Sequence, residues 1–184
     1  DEEDTFNTNV FVSPVPTYHV DRTDRDWYYT QFRTRTTSNC GPWVVSMGIS
    51  WAKGAEVPVS TVRSHVGWTG SGAVNMSELK SVLDVYDVSS HLHWVETPDE
   101  IFAMLDAGNL VGVVYDMAGI SFTENAADNL FGQYYIDAGG HYLMLKGYSL
   151  DRKYFVVYDP IPSDWTENAG RYGDGASMYG RNRY

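Results

Sequence analysis

Apolar positions from Cys40 to Lys53 follow a helical period: Val44, Met47 and Trp51 recur at steps of three and four, with Gly48 on the same face. Ser38 and Asn39 are good N-cap types, Pro42 suits a first turn where a missing N–H costs nothing, and Gly54 supplies the stop. The pattern predicts a central helix over 40–53. A short helix is expected after Ser60, followed by the glycine-rich stretch "GWTGSGAVN". Asn75 with Glu78 has the spacing of a capping box and opens a helix in which Met76, Leu79, Val82, Leu83 and Tyr86 share a face. In "TPDEIFAMLDAG" Thr97 caps, Pro98 takes the first position, Glu100 reaches back and Gly108 ends the turn. The period then changes to that of strands, at 110–115, 141–148 and 153–159. The first forty residues read as loop and short extended pieces. The order, helices then antiparallel strands, predicts an α+β chain.

Residues 116–140 join the first two of these strands. A connection of that length is usually a functional lid or binding loop, and Phe131, Tyr134 and Tyr135 give it aromatic character. With 184 residues one domain is expected over 1–184, with an extended N-terminal segment over 1–25 and an irregular tail over 160–184.

Composition narrows the function classes. A formal charge of −11 argues against binding a phosphate backbone, so no nucleic-acid partner is expected. No apolar run approaches the roughly 20 residues of a bilayer crossing, so no membrane span is expected either. The start "DEEDTFNTN" carries no charged-then-apolar leader, so a signal peptide is either absent or already removed.

Cys40 is the only cysteine and forms no internal disulfide; it is either a buried thiol or a reactive one. Its place at a helix N-terminus favours the thiolate, and a nearby imidazole would favour it further. Of five histidines, His19 and His65 lack matched partners. His91 and His93 share one face of a short strand "HLHW" but have no third ligand at a recognisable position. "DRTDRD", with Asp21, Asp24 and Asp26, fits no calcium loop and reads as a solvated turn. No cofactor or metal is expected.

His141 is different. If 141–148 and 153–159 form a hairpin with an odd loop centred near Leu150, His141 stands opposite Asp159, Leu143 opposite Val157 and Leu145 opposite Phe155. All three pairs then share a face that is apolar except at its His/Asp end; a one-residue slip is less favourable but stays open. In an opposed pair the carboxylate fixes the imidazole's tautomer and orientation while its other nitrogen faces a nucleophile. Acyl transfer also needs oxyanion donors, for which the Cys40 backbone N–H and a side-chain amide, Gln31 or Gln133, are candidates.

Gln31, then Cys40-Gly41-Pro42 and an apolar helix, then Gly140-His141 on a strand and "YDP" at a strand end: in this order the residues resemble the papain-like cysteine peptidases related to the bacteriocin-leader peptidases (cysteine peptidase family thirty-nine), over about residues 25–165. The resemblance implies a papain-like fold, a helical half packed on an antiparallel sheet with the active site between them. It implies a peptide or protein substrate, with Cys40 as nucleophile, His141 as general base then acid, Asp159 as the orienting residue and Gln31 as oxyanion donor. Trp43, where family members often carry a small residue, is a departure. Neither a transporter segment nor an ATP-binding motif is present, so a free-standing secreted or cell-surface hydrolase is expected rather than a leader peptidase proper. The same machinery also serves cell-wall amidases of the NlpC type and transglutaminase-like transferases, and a silent peptide-binding module on this fold is the rival from another class.

Overall fold

The computed structural model describes residues 15–29, 39–69, 74–123, 131–133, 139–161 and 180–184. Among the described residues four α-helices precede most of the sheet: α1 (Cys40–Lys53), α2 (Val59–His65), α3 (Met76–Val85) and α4 (Pro98–Asp106). The strands are β1 (Thr17–His19), β2 (Val111–Asp116), β3 (Gly140–Ser149) and β4 (Phe155–Tyr158), all paired antiparallel. The chain is α+β as expected, and β1 is an addition within the stretch read as short extended pieces.

Local chemistry accounts for the helix ends. Trp43 N–H donates to the Asn39 carbonyl at 2.9 Å, the first bond of α1, and Pro42 lies within the turn whose N–H groups have no helical acceptor. Gly54 closes α1 in the left-handed conformation, with its N–H on the Ser50 carbonyl. Asn75 accepts from Glu78 N–H at 2.9 Å while Glu78 accepts from Asn75 N–H, a complete capping box on α3. Glu100 likewise accepts from Thr97 N–H at 3.0 Å ahead of α4. Caps of this kind contribute about 1 kcal/mol each.

The single-face expectation for α1 is too narrow. Trp43, Val45 and Ile49 are buried together with Val44 and Met47, so the helix is covered nearly all round, as a central helix must be when it packs on the sheet and on two other helices. Trp43 fills this core at 2% exposure, its ring 5.9 Å from that of Tyr29. A second cluster of Val20, Phe102, Leu105 and Tyr148 fixes α4 to the sheet. Residues 91–94, expected as a strand, belong to no strand; all four are exposed, and His93 Nε2 lies 2.6 Å from Glu100.

Strand β3 is the hub. Leu145 pairs with both Val111 and Val157, and Tyr148 with both Tyr18 and Phe155, so β2 and β1 occupy successive stretches of one edge and β4 takes the other. Val157 and Arg183 exchange backbone bonds at 2.7 and 3.0 Å, so an isolated bridge joins β4 to the described end of the tail, residues 180–184. The connection after β2 is pinned at Phe122 and Gln133, where Gln133 N–H donates to Ser121 and Thr123 N–H to Gln133. Tyr134 and Tyr135 lie outside the described residues.

The register expected for β3 and β4 is corrected. Ser149 N–H closes the hairpin on the Tyr154 carbonyl at 2.9 Å, and the Ser149 hydroxyl accepts from Lys153 and Tyr154 N–H, so the loop is even, Leu150 to Lys153, rather than centred on Leu150. Tyr148 thus pairs with Phe155, and Gly147 with Val156. A β-bulge then absorbs Lys146, after which Leu145 pairs with Val157 and Met144 with Tyr158. The net result is a shift of two residues from expectation. Beyond the bulge a shift of two keeps His141, Leu143, Leu145, Val157 and Asp159 on their expected face, whereas on the turn side the shift is three and brings Tyr148 to the face of Phe155. Without the bulge that reversal would have continued to the His141 end.

The bulge depends on glycine. A Cβ at Gly147 would stand 2.0 Å from the Tyr18 carbonyl oxygen of β1, closer than any side chain tolerates. Lys146 itself is 1% exposed, its Nζ 2.6 Å from Asp21 Oδ2 and 4.3 Å from the centre of the Tyr158 ring.

Candidate active site

The start of α1 and the start of β3 are packed together at Gly41, where an added Cβ would lie 2.9 Å from Leu79 and 3.3 Å from the Tyr142 ring. This close approach sets Cys40 beside His141. The thiol is half-buried, whereas His141 and Asp159 are both 4% exposed. Cys40 is therefore the most accessible of the three residues.

His141 Nε2 lies 2.8 Å from Asp159 Oδ1, and the same oxygen accepts from Ile161 N–H at 2.9 Å across Pro160. The carboxylate is thus held by its own turn as well as by the imidazole. With Nε2 engaged by Asp159, the other ring nitrogen is the one left for Cys40, with which His141 shares a side-chain hydrogen bond.

Electrostatics follows from this chain of contacts. Burial alone would push the Cys40 thiol up; the hydrogen bond and charge of His141, with backbone N–H groups of Tyr142 and Gly41 donating to sulfur, outweigh burial and hold it below its ordinary value. Burial would likewise depress the imidazole, but the charge and hydrogen bond of Asp159, then those of Cys40, push His141 up to about 10. Both shifts favour a thiolate–imidazolium pair at neutral pH. Tyr142 flanks the pair; burial, the Cys40 charge and Glu78 raise its phenol, whose hydroxyl donates to the Val74 carbonyl at 2.6 Å.

Three sequence-predicted site residues therefore come together: Cys40, His141 and Asp159. Gln31 lies outside the described residues, as does Ser38. Gln133 is buried on its short bridge to Ser121 and Thr123. Asn39 is at the N-cap position of α1, but its side chain makes no capping hydrogen bond.

The acidic cluster is exposed, as expected of a solvated turn, and it is also an anchor. Asp21 accepts from Lys146 and, at 3.0 Å, from the Trp27 indole N–H; Asp24 pairs with Arg25 at 2.7 Å; Asp26 pairs with Arg181. Each carboxylate turns to a different cation, which the sequence could not show because two of those cations lie over a hundred residues away.

The chain belongs to the peptidase C39-like family, whose family model matches residues 27–181. The family relates it to cysteine peptidases of papain-like fold, which is the architecture seen here. No curated protein and no solved structure gives a significant match. Among the described residues no helix is long and apolar enough to cross a membrane.

Proposed function

We propose that the protein hydrolyses a peptide or amide bond through an acyl-enzyme on Cys40. The observation that supports this most strongly is the relay itself: a partly buried cysteine whose thiol is hydrogen-bonded to an imidazole with its far nitrogen held at 2.8 Å by a buried carboxylate. The Cys40 thiolate adds to the carbonyl carbon, and the oxyanion is held by the Cys40 backbone N–H and by Gln31. As the C–N bond breaks, the imidazolium of His141 gives its proton to the departing amine. The neutral imidazole then takes a proton from water, hydroxide attacks the thioester, and the carboxylic acid leaves with the thiol restored. Asp159 keeps the His141 ring in one tautomer and orientation throughout.

The family relationship supports a peptidase-type hydrolase, and the substrate we assign to it is a peptide or protein. The test is labelling with a broad epoxide inhibitor of cysteine peptidases, read by mass spectrometry beside hydrolysis of a peptide library. One adduct on Cys40 in native protein, lost on denaturation and in His141→Ala, is expected together with cleavage. Labelling indistinguishable in native, denatured and His141→Ala protein would refute the assignment. Labelling without cleavage of any peptide would move the substrate to another acyl donor.

A further inference from the structure

Asp159 is fixed through its backbone as well as its side chain. Its N–H donates to the Gly180 carbonyl at 2.8 Å, and its carbonyl accepts from the Tyr28 hydroxyl at 2.8 Å. The same hydroxyl receives the Gly180 N–H, so Asp159, Gly180 and Tyr28 close a ring of three hydrogen bonds. Each member comes from a different part of the chain: the segment before α1, the end of β4 and the last five residues.

The ring is clamped by charge. Arg181 pairs with Asp26, whose Oδ1 also accepts from Tyr28 N–H at 3.1 Å. The guanidinium lies 5.3 Å from the centre of the Tyr28 ring and 5.8 Å from that of Tyr158, so one cation covers the tyrosine that holds Asp159 and the residue just before Asp159. Tyr28 is buried, and its phenol is raised by burial first and then by the Asp159 charge, which keeps the hydroxyl a donor.

We propose that Tyr28 and Arg181 are positioning residues of the Cys40–His141–Asp159 site: Tyr28 bonds the Asp159 carbonyl, Arg181 anchors the neighbouring Gly180, whose carbonyl accepts from Asp159 N–H, and together they keep the carboxylate within reach of His141. This rests on the proposed roles of those three residues. Tyr28 and Arg181 both act through Asp159: Tyr28 on its carbonyl, and Arg181 by way of Asp26 and the Tyr28 ring. Because His141 meets Asp159 off the direct cross-strand position, the pair depends on where the end of β4 is held more than a directly opposed pair would.

The experiment is the pH dependence of Cys40 alkylation by iodoacetamide in wild type, Tyr28→Phe, Arg181→Met, Arg181→Lys and Asp159→Asn, with far-UV circular dichroism confirming the fold. Tyr28→Phe keeps the ring and deletes only the hydroxyl; Arg181→Met keeps an unbranched apolar stem and removes the guanidinium with its charge and its bonds to Asp26. In both, the thiol inflection is expected to move up by about half a pH unit, read as a roughly threefold slower reaction on the acid limb of the profile, below the inflection. Arg181→Lys, which leaves a cation for Asp26, is expected to return most of that shift, which a loss of packing alone would not explain. If Asp159→Asn moves the profile while folded Tyr28→Phe and Arg181→Met keep that of wild type, the positioning role is wrong and the site stands. If Asp159→Asn does not move it either, the orienting role of Asp159 falls, and this inference with it. One folded variant of the two suffices, and Asp26→Asn, which loosens the clamp without touching Asp159, serves if neither folds.

Discussion

His141 reaches Asp159 on a diagonal. Continued by one pair beyond Met144 and Tyr158, the β3–β4 ladder sets Asp159 across from Leu143, two residues from His141 on the same face, yet Nε2 and Oδ1 are 2.8 Å apart. Reach across that diagonal requires both the short carboxylate and the turn at Pro160 that directs it, where Ile161 N–H donates to the same oxygen.

Asp159→Asn is therefore expected to preserve the fold and to slow hydrolysis, because an amide neither stabilises imidazolium nor fixes the tautomer as well as a carboxylate. Cys40→Ala and His141→Ala should remove hydrolysis to the limit of detection, a larger loss than that of Asp159→Asn. Steady-state rates on a cleaved peptide, with kcat and KM separated, check the order; Asp159→Asn equal to wild type in kcat would exclude an orienting role.

Much of this was legible in residue chemistry. The bounds of α1 follow from Pro42 and Gly54, and α3 and α4 open at capping boxes readable as Asn75 with Glu78 and Thr97 with Glu100. The face shared by His141, Leu143 and Leu145 was legible from alternation; the exact partner of each was not. Register depends on one extra residue at Lys146, and nothing local marks a lysine as the bulged, fully buried position, since its partners Asp21 and Tyr158 are tertiary neighbours. The same holds for Tyr28 and for Arg181 in "GRNRY": their roles come from backbone groups of distant strands, which have no side-chain signature.

Gly147→Ala tests the bulge. Its methyl group would meet the Tyr18 carbonyl oxygen at 2.0 Å, so β1 must separate from β3 or the bulge must move. A loss of about 3 kcal/mol is expected, at the upper end for overpacking because the obstacle is backbone. Denaturant unfolding checks the value, and the same variant should lower hydrolysis, since any change of bulge alters which face Asp159 presents. Stability equal to wild type would contradict the close approach.

Lys146→Met removes the buried cation. Burial alone would raise the Asp21 carboxyl, but hydrogen bonds from His19, Lys146 and Trp27 and the Lys146 charge hold it well below the usual carboxylate range. A group depressed in the folded state stabilises above its unfolded value, near pH 4, and that contribution disappears as pH falls. The variant should lose about 1–3 kcal/mol at pH 7, less than a fully buried pair because Asp21 is one-third exposed. The difference from wild type should shrink on acidification below about pH 4. Urea unfolding at pH 7 and at pH 3 measures it.

His141 has the opposite sign. Its folded value is raised from 6.5 to about 10, so the stabilisation it provides is complete below pH 6.5 and is lost as pH rises toward 10. Cys40, held low, works against this in the intact pair. In Cys40→Ala that opposition is gone while Asp159, the larger favourable influence on the imidazole, remains. The melting temperature of Cys40→Ala should fall as pH is raised above 6.5, and Cys40→Ala/Asp159→Asn should show a flatter profile.

The state of the Cys40 sulfur is the central matter. Titrating its alkylation by iodoacetamide against pH in native wild-type protein tests it directly. A rate that rises with an inflection well below pH 8.5 and stays high through neutrality is predicted for a thiolate held by His141. A single inflection near pH 8.5, the same in wild type and in His141→Ala, would contradict the pair and the reaction built on it.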